Sequence, residues 1–322
     1  MSVPIVAEIV RSGFVEGHHY GSAVALGPDH EVLLAFGEVD SPMLPRSCNK
    51  PLQALGMVRL GLDLPPDLLA LACASHSGEP FHVEGVRRIL ALAELAESAL
   101  QCPAAYPLDD EARDAVVRDG GGPAPILMNC SGKHAAMLLT CVVNGWSTDD
   151  YRAPEHPLQV ALADTFAAFT GSTIEATPID GCGAPIFPTS LTGLARAFAT
   201  LVQAEDAASA QITTAIRTFP EFVSGTRRDE AALLRAVPGA IAKAGAESCY
   251  VVALGDGRAV ALKHDDGAPR VRPVLMAAVL DRLGVFDEPG VDAAAARATG
   301  WLPLLGGGVP VGEIRATISS LC

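Results

Sequence analysis

The sequence predicts a two-lobed α+β protein, in which both ends of the chain form one sheet and a mostly helical lobe is inserted between them. Three observations support this prediction. Strand-like alternation occupies residues 5–36, helical periodicity dominates residues 65–236, and strand-like segments return at residue 248. We expect residues 1–64 plus 237–322 to form an antiparallel sheet with helices packed on it. Residues 65–236 should form the helical lobe, with the active site in the cleft between the lobes.

The individual elements follow from the same two periods. Strands are expected at both ends of the chain, over residues 5–10, 20–26, 31–36, 248–254, 258–263 and 310–318. Helices are expected over residues 66–74, 83–100, 109–118, 131–144, 156–169, 188–204, 207–218, 227–236, 271–284 and 291–299. Gly255-Asp256-Gly257 separates two of the strands and is typical of a tight hairpin.

One further helix should begin near Pro51 and end before Gly61, since the residues between them are largely apolar. Proline has no backbone N–H group and is tolerated only in the first turn of a helix. Ser47 should therefore lie at or near the N-terminus of this helix. At that position, the positive end of the helix dipole faces any bound group.

Composition excludes several classes of function. The chain has 322 residues, 49% of them hydrophobic, and a net charge of −14. Nucleic acids and anionic membranes are bound through basic surfaces, so neither is expected as a partner. Residues 1–10 lack a basic segment followed by an apolar run, and no window is long enough to span a membrane. Eight scattered cysteines without a Cys-x-x-Cys motif indicate reduced thiols, and we expect a cytoplasmic protein.

Ser47 and Lys50 stand three residues apart, so on a helix they share one face. A neutral amine held against a serine hydroxyl can remove its proton, and burial or nearby positive charge favours the neutral amine. The backbone N–H of Ser47 would supply half of an oxyanion hole. The pattern predicts a nucleophile with its base, and the alternative is an N-cap serine followed by a surface lysine.

Lysine is rare in this chain. Of 23 lysine and arginine residues only four are lysine, namely Lys50, Lys133, Lys243 and Lys263. Arginine stays protonated and cannot act as a base, so lysine should be retained where a tunable amine is needed. All four lysines are therefore candidates for a functional site.

Lys243-Ala244-Gly245 precedes a predicted strand. Serine acyl-transfer enzymes with a Ser-x-x-Lys helix carry a second lysine, in a Lys-Thr-Gly motif on a strand beside the cleft. Ala244 occupies the position of the threonine here, so the similarity is partial. It favours the catalytic interpretation of Ser47 and Lys50.

Five polar stretches interrupt the apolar background near element boundaries, where binding groups concentrate. They are Pro-Arg-Ser-Cys-Asn-Lys-Pro-Leu-Gln-Ala from residue 45, Ala-Ser-His-Ser-Gly-Glu from 74, Asn-Cys-Ser-Gly-Lys-His-Ala-Ala-Met from 129, Ile-Asp-Gly-Cys-Gly-Ala-Pro from 179 and Lys-Ala-Gly-Ala-Glu from 243. In this order they resemble the Rhizobium-type L-asparaginases, or L-asparaginase II family, over nearly the whole chain. The resemblance implies the serine β-lactamase and glutaminase type of fold.

It also implies hydrolysis of the side-chain amide of L-asparagine to L-aspartate and ammonia. By carry-over, Ser47 attacks the carboxamide, Lys50 accepts its proton, and a second Ser–Lys pair supports proton transfer. We choose Ser75 and Lys243 for that pair, while Ser77 and Lys263 compete for the two roles.

Charged and polar residues of the same stretches are candidates for substrate binding. Asp180 and Arg46 could hold the α-ammonium and α-carboxylate of the substrate, since opposite charges fix orientation where water is excluded. Ser77 and His134 complete this set. The alternatives are a turn-stabilising aspartate and a surface arginine.

The resemblance further implies a zinc ion beside the site, held by Cys130, Lys133 and Cys182. Thiolates are good zinc ligands, but a lysine must lose its proton before it can bind a metal. The alternative is that both cysteines are small residues that line a tight cleft. Since a Ser–Lys pair needs no metal to activate its nucleophile, zinc would position substrate or maintain the site.

Two other functions stay open at this point. A glutaminase, a β-lactamase or another amidase of the same fold would use the same Ser–Lys residues. A non-catalytic zinc or thiol sensor would use Cys130 and Cys182 alone. Relatives with this fold usually self-associate, so a homodimer is expected.

Overall fold

The computed structural model describes residues 3–318 and divides into two compact units. The first unit contains the chain up to Cys48, the segment Thr189–Gln203 and the chain from Ala232 onward. The second unit contains Asn49–Pro188 and Ala204–Ala231. The ends of the predicted sheet lobe, and with them Cys322, lie outside the described residues.

The described part of the chain forms eight strands and twelve α-helices. The strands are β1 (Ile5–Arg11), β2 (Phe14–Leu26), β3 (Val32–Phe36), β4 (Ile241–Ala244), β5 (Cys249–Ala253), β6 (Ala259–His264), β7 (Leu302–Gly306) and β8 (Val309–Ala316). The helices are α1 (Lys50–Arg59), α2 (Pro66–Ala72), α3 (Pro80–Leu92), α4 (Asp110–Arg118), α5 (Ser131–Val143), α6 (Pro157–Thr170), α7 (Leu191–Gln203), α8 (Ala207–Thr218), α9 (Pro220–Val223), α10 (Asp229–Ala236), α11 (Arg272–Arg282) and α12 (Ala293–Thr299).

The strands of the first unit form one antiparallel sheet in the order β4-β5-β6-β2-β1-β8-β7, with β3 also paired to β2. Strands from the two ends of the chain meet where β2 pairs with β6 and where β1 pairs with β8. Helix α7 packs on β2, β5 and β6, and α11 packs on β6 and β8. The predicted α+β class, with a sheet from both chain ends, is confirmed.

The second unit is built from helices. Every residue of α1 from Lys50 to Met57 is buried, and so is every residue of α5 from Ser131 to Cys141. A helix buried on all sides lies in the interior of its unit. Polar residues at the N-termini of α1 and α5 are thereby drawn into the interior, which is what positions the candidate site.

Two whole helices lie in a different unit from the one predicted. Helix α1 belongs to the helical unit, because it packs on α5, α6 and α8. Helix α7 belongs to the sheet unit, because its apolar face covers β2, β5 and β6. The unit to which each helix belongs depends on its packing partners, which lie far from that helix in the sequence. The predicted position of the active site stays a prediction.

Several element boundaries were predicted wrongly. Strand β2 begins at Phe14, because Ser12 and Gly13 adopt positive φ angles and reverse the chain there. Helix α3 ends at Leu92, and Glu94 with φ of +54° prevents its continuation. The predicted strands missed β4 and β7, which are short and lack alternation. In residues 3–318 no helix combines the length and the apolar character that crossing a membrane requires.

Candidate active site

Ser47 lies on a tight turn directly before α1. Residues Arg46–Asn49 form a 3-10 helix, and α1 begins at Lys50 with Pro51 in its first turn, as the sequence predicts. Arg46 has a φ of +50°, which is rare for a residue with a side chain. Such strain persists only where the surrounding structure holds it, and it is concentrated at functional sites. Ser47 therefore lies on a strained turn, and neighbouring residues maintain the geometry of this turn.

Strand β4 is one of those neighbours. The Sγ of Cys48 donates to the carbonyl oxygen of Lys243 at 3.1 Å. A Cβ atom added to Gly245 would lie 2.8 Å from the Pro45 oxygen and 3.2 Å from the Ser47 nitrogen. The Lys-Ala-Gly segment thus packs on the Ser47 turn, and only glycine allows so close an approach.

Replacing Gly245 with alanine should displace the Ser47 turn. Since the clash is with backbone atoms, the turn has to move, and a shift of about 1 Å at reacting groups can cost roughly 100-fold in rate. We expect kcat/KM to fall by about that factor while the protein stays folded, measured by ammonia release and thermal unfolding. Gly255→Ala is the matched control, because its added Cβ lies 3.5 Å from the nearest atom. Equal activity of the two variants would contradict the prediction.

Lys243 and Lys263, the two candidates for the second lysine, differ in burial. Lys243 lies on β4 and is fully buried, with its Nζ 2.9 Å from the carbonyl oxygen of Ala244. Lys263 is half-buried, and its Nζ donates to the carbonyl oxygen of Glu247 at 2.7 Å. Burial is one way in which a protein alters the proton affinity of an amine. It therefore favours Lys243 as the second lysine.

Arg46 forms an ion pair with Glu247, with 3.4 Å between Nη1 and Oε1. The Glu247 side chain is 61% exposed and that of Arg46 is 24% exposed. An exposed ion pair contributes little free energy, so this contact adds little to the stability of the turn.

In the second unit, Lys50 is fully buried at the start of α1. Its Nζ donates to the carbonyl oxygen of Ala74 at 2.7 Å and lies 3.1 Å from the Sγ of Cys130. These contacts hold the amine at the loop that follows α2. The predicted base is therefore positioned by a backbone carbonyl and by one of the predicted zinc ligands.

The two candidates for the second serine have different hydrogen bonds. The side-chain amide of Asn129 donates to the Oγ of Ser75 at 2.9 Å, which leaves Ser75 its own proton to donate. Ser77 already donates to Glu79 at 2.7 Å, and Thr226 also binds that carboxylate. Ser77 therefore supports the loop structure, and Ser75 is the more suitable serine for proton transfer.

His76 anchors this loop to the start of α5. Its Nδ1 accepts from the backbone N–H of Gly78 at 3.2 Å, so Nε2 carries the proton and donates to Ser131 at 2.9 Å. Ser131 in turn donates to the Ile126 carbonyl oxygen at 2.8 Å. Burial lowers the pKa of His76 well below its ordinary value, so the imidazole stays neutral.

Cys130 and Cys182 form a buried pair of thiols. A hydrogen bond between the two sulfur atoms lowers the pKa of Cys182 and raises that of Cys130, so the two thiols titrate as a pair. The Nζ of Lys133 lies 3.2 Å from the Cys182 sulfur. Burial alone would lower the pKa of Lys133. This effect is outweighed by interactions with Cys182, Cys130 and Asp180, which hold the pKa above its ordinary value.

The two sulfur atoms fit a zinc ion, since buried thiolates are preferred zinc ligands. The third predicted ligand, Lys133, is protonated and lies beside the Cys182 sulfur. It can bind a metal only after it has lost its proton. Within the described chain, no group of three or more His, Cys, Asp or Glu side chains has the arrangement of a metal site. Without metal, Lys133 neutralises the charge of Cys182.

His134 and Asp180 lie beside this pair. His134 is fully buried, and its Nδ1 lies 2.7 Å from the hydroxyl of Tyr151. Asp180 is half-buried at the start of a turn that Gly183 completes with a φ of +85°. His134 is thus shielded from solvent, whereas Asp180 is partly exposed.

Sequence analysis missed three residues that position this site. Asn129 lies in one of the five polar stretches but was assigned no role. The importance of Gly245 lies in a contact with residues far from it in the chain. Tyr151 had no sequence signal, since it stands alone between two helices.

The candidate residues thus form one group in each unit. In the first unit, Lys243 lies beside the turn that carries Arg46 and Ser47. In the second unit, the buried side chains come together around two cysteines; they are Lys50, Cys130, Lys133, His134 and Cys182. Ser75 joins this second group through Asn129, whose amide oxygen lies 3.4 Å from the Cys130 sulfur.

Solved structures similar to this chain include a β-lactamase from Mycobacterium bovis, with 18% identity over 81% of this chain and 94% of its own and a TM-score of 0.46. A simvastatin synthase from Aspergillus terreus is 11% identical over 75% of this chain and 86% of its own, with a TM-score of 0.40. A protein named Mglu is 11% identical over 82% and 67%, with a TM-score of 0.38.

No match was found among curated proteins. The L-asparaginase II family, in contrast, matches residues 7–316, which is nearly the whole chain. The five polar stretches that carry the resemblance all lie within this range. The chain therefore belongs to the L-asparaginase II family.

Proposed function

We propose that this protein hydrolyses the side-chain amide of L-asparagine to L-aspartate and ammonia, with Ser47 as nucleophile and Lys50 as base. Family membership indicates an asparaginase. The mechanistic part of the proposal rests on one observation: Ser47 occupies a strained turn immediately before the buried Lys50. A serine on such a turn and a buried amine at the start of the next helix are the parts that nucleophilic catalysis needs.

The reaction proceeds in two halves. In the first, the Oγ of Ser47 attacks the carboxamide carbon and Lys50 takes the hydroxyl proton, while the backbone N–H of Ser47 stabilises the oxyanion. The carbon–nitrogen bond then breaks, ammonia leaves with that proton, and an aspartyl ester remains on Ser47. In the second half, water attacks the ester and gives one proton to the lysine, which passes it to the Ser47 oxygen as L-aspartate leaves. Proton transfer in both halves uses the same amine.

Ser75 and Lys243 are proposed as the second Ser–Lys pair. The hydrogen bond from Asn129 leaves Ser75 a donor, and full burial favours Lys243 over the half-buried Lys263. A hydroxyl that can donate is suited to relaying the proton from Lys50 to the leaving nitrogen.

Ser75→Ala should therefore reduce kcat more than Ser77→Ala does. We expect a fall of roughly 100-fold or more for Ser75→Ala, since that is the typical contribution of a positioned acid or base. Ser77→Ala leaves Glu79 with one donor fewer, so it should mainly lower the melting temperature. The measurement is ammonia release together with thermal unfolding of each variant. A larger kcat loss for Ser77→Ala would exchange the two roles.

Substrate orientation is proposed to depend on two charges. Arg46 would bind the α-carboxylate in place of Glu247, and Asp180 would bind the α-ammonium group. Both side chains are only partly buried, which supports their access to a ligand.

A zinc ion is proposed at Cys130 and Cys182, with Lys133 as the third ligand once its proton is lost. The support is the buried pair of sulfur atoms and the lowered pKa of Cys182. Bound zinc would stabilise the structure of the site and, as a Lewis acid, would orient the substrate. Seven buried cysteines in residues 3–318 form no disulfide, which supports a reducing, cytoplasmic location. The homodimer, and the absence of nucleic-acid and membrane partners, stay proposals on the grounds of resemblance and charge.

The deciding experiment measures ammonia release from L-asparagine and L-glutamine and, in parallel, the colour change of a chromogenic β-lactam. Each substrate is tested with added zinc and with a chelator. Faster turnover of L-asparagine than of the other two supports the proposal. A preference for glutamine or the lactam would assign the same site to another amidase. Bound zinc without hydrolysis of any substrate would favour a sensor.

A further inference from the structure

Tyr151 is a buried side chain that reaches the thiol pair through His134. Its hydroxyl lies 2.7 Å from the Nδ1 of His134 and accepts a hydrogen bond from the backbone N–H of Gln101 at 3.1 Å. Gln159 binds the carbonyl oxygen of Tyr151 at 2.7 Å and so fixes its backbone. Tyr151 and His134 are both fully shielded from solvent.

These contacts decide which ring nitrogen of His134 carries the proton. A backbone N–H can only donate, so the phenol oxygen of Tyr151 accepts from Gln101 and its single proton is available for His134. Nδ1 then acts as an acceptor, and Nε2 holds the imidazole proton. The opposite tautomer would leave the buried phenol proton without an acceptor, which costs free energy.

Because Tyr151 contacts Nδ1, the remaining ring nitrogen of His134 is Nε2. This atom is buried and lacks a partner with good hydrogen-bond geometry in the described part of the chain, although Cys182 is close enough to interact with the imidazole. Lys133, the neighbour of His134 on α5, reaches the same sulfur atom at 3.2 Å. Consecutive residues of one helix thus bring an amine and an imidazole close to Cys182.

We propose that Tyr151 is a positioning residue that holds His134 in the Nε2–H tautomer, so that His134 is a hydrogen-bond donor to Cys182 and not a metal ligand. A nitrogen that carries a proton has no lone pair for a metal, whereas its N–H group can stabilise a metal-bound thiolate. The inference rests on the proposed metal site at Cys130 and Cys182. It assigns His134 a role different from substrate binding.

Partners outside the ligand set tune a metal site, and their loss typically costs about 10- to 100-fold in metal affinity. Cobalt(II) is a suitable probe, because it takes zinc sites and its bonds to thiolates absorb light. We expect Tyr151→Phe and His134→Ala each to weaken cobalt affinity by about 10-fold or more, with thiolate-to-cobalt absorption retained. His134→Gln, which keeps a side-chain N–H, should restore much of the affinity.

The double variant Tyr151→Phe/His134→Ala tests whether Tyr151 acts through His134. If it does, the double variant binds cobalt no more weakly than His134→Ala alone, whereas independent structural effects would add. Tyr250→Phe is the matched control, since it removes a phenol oxygen that is equally buried elsewhere. It should leave cobalt affinity unchanged, and thermal unfolding checks that each variant is folded.

Several results would overturn the inference. They include additive losses in the double variant, cobalt binding by Tyr151→Phe equal to that of the wild type, and no cobalt binding by the wild type. A complete loss of the thiolate absorption in both His134→Ala and His134→Gln would make His134 a ligand and also overturn it. These measurements involve no turnover. Failure of the asparaginase proposal, seen in ammonia release, is therefore distinguishable from failure here.

Discussion

Ser47→Ala should lose turnover of L-asparagine by roughly 10⁴-fold or more while the protein stays folded. The hydroxyl of Ser47 provides the covalent route in the proposed mechanism, and alanine cannot form the ester. Ser47 is nearly buried, and removing one small hydroxyl should shift the melting temperature by about 2 °C or less. Ammonia release, with mass spectrometry of acid-quenched wild type, measures both the loss and the aspartyl adduct.

The control is Ser41→Ala, which removes an exposed hydroxyl that binds only at the surface, to Glu38. It should keep wild-type activity. Retention of more than a few per cent of turnover by Ser47→Ala would remove Ser47 from the nucleophile role. An adduct on a peptide that does not contain Ser47 would lead to the same conclusion.

Lys50→Arg and Lys50→Met should both lose activity, each by about 10²- to 10⁴-fold, for different reasons. Arginine keeps the positive charge but cannot release a proton at any pH that the protein survives. Methionine keeps the length of the side chain but has no amine. If a positive charge at this position were sufficient, Lys50→Arg would remain active, so the pair of variants separates base catalysis from charge.

The stability of these variants needs a separate measurement, because Lys50 is buried. Lys50→Met leaves the carbonyl oxygen of Ala74 without its donor, which should cost on the order of 1–3 kcal/mol. Lys263→Met is the matched control, since its amine binds a carbonyl oxygen from a half-buried position. It should retain activity. An active, folded Lys50→Arg would contradict the proposed role of Lys50.

Sequence analysis predicted the main elements well where local patterns are strong. The hairpin at residues 255–257 and most helices of the second unit are confirmed, because turn residues and apolar periodicity act over short distances. The start of α1 was predicted from Pro51, whose missing N–H restricts it to a first turn. The predicted boundaries near Ser12 and Glu94 are wrong. Both residues adopt positive φ angles, which no sequence pattern indicates for residues other than glycine.

The candidate site was predicted from the types of residue it contains. Ser47, Lys50 and the other lysines stood out because an arginine-rich chain keeps lysine where its chemistry is needed. The choice between Ser75 and Ser77 could not be made in this way, since both are serines of the same loop. It depends on hydrogen bonds to Asn129 and Glu79, which become visible only in the folded chain.

By itself, the sequence determined the α+β class, the order of its elements, the five chemically active stretches and the family they indicate. These properties depend on local periodicity, turn chemistry and residue identity, which are all present in the sequence before the chain folds. Only the tertiary structure decided which contacts surround each group: Gly245 on the Ser47 turn, Cys130 against Cys182, and Tyr151 against His134. Such contacts join distant segments, and burial sets the charge of each group, so their effect exists only after the chain has packed.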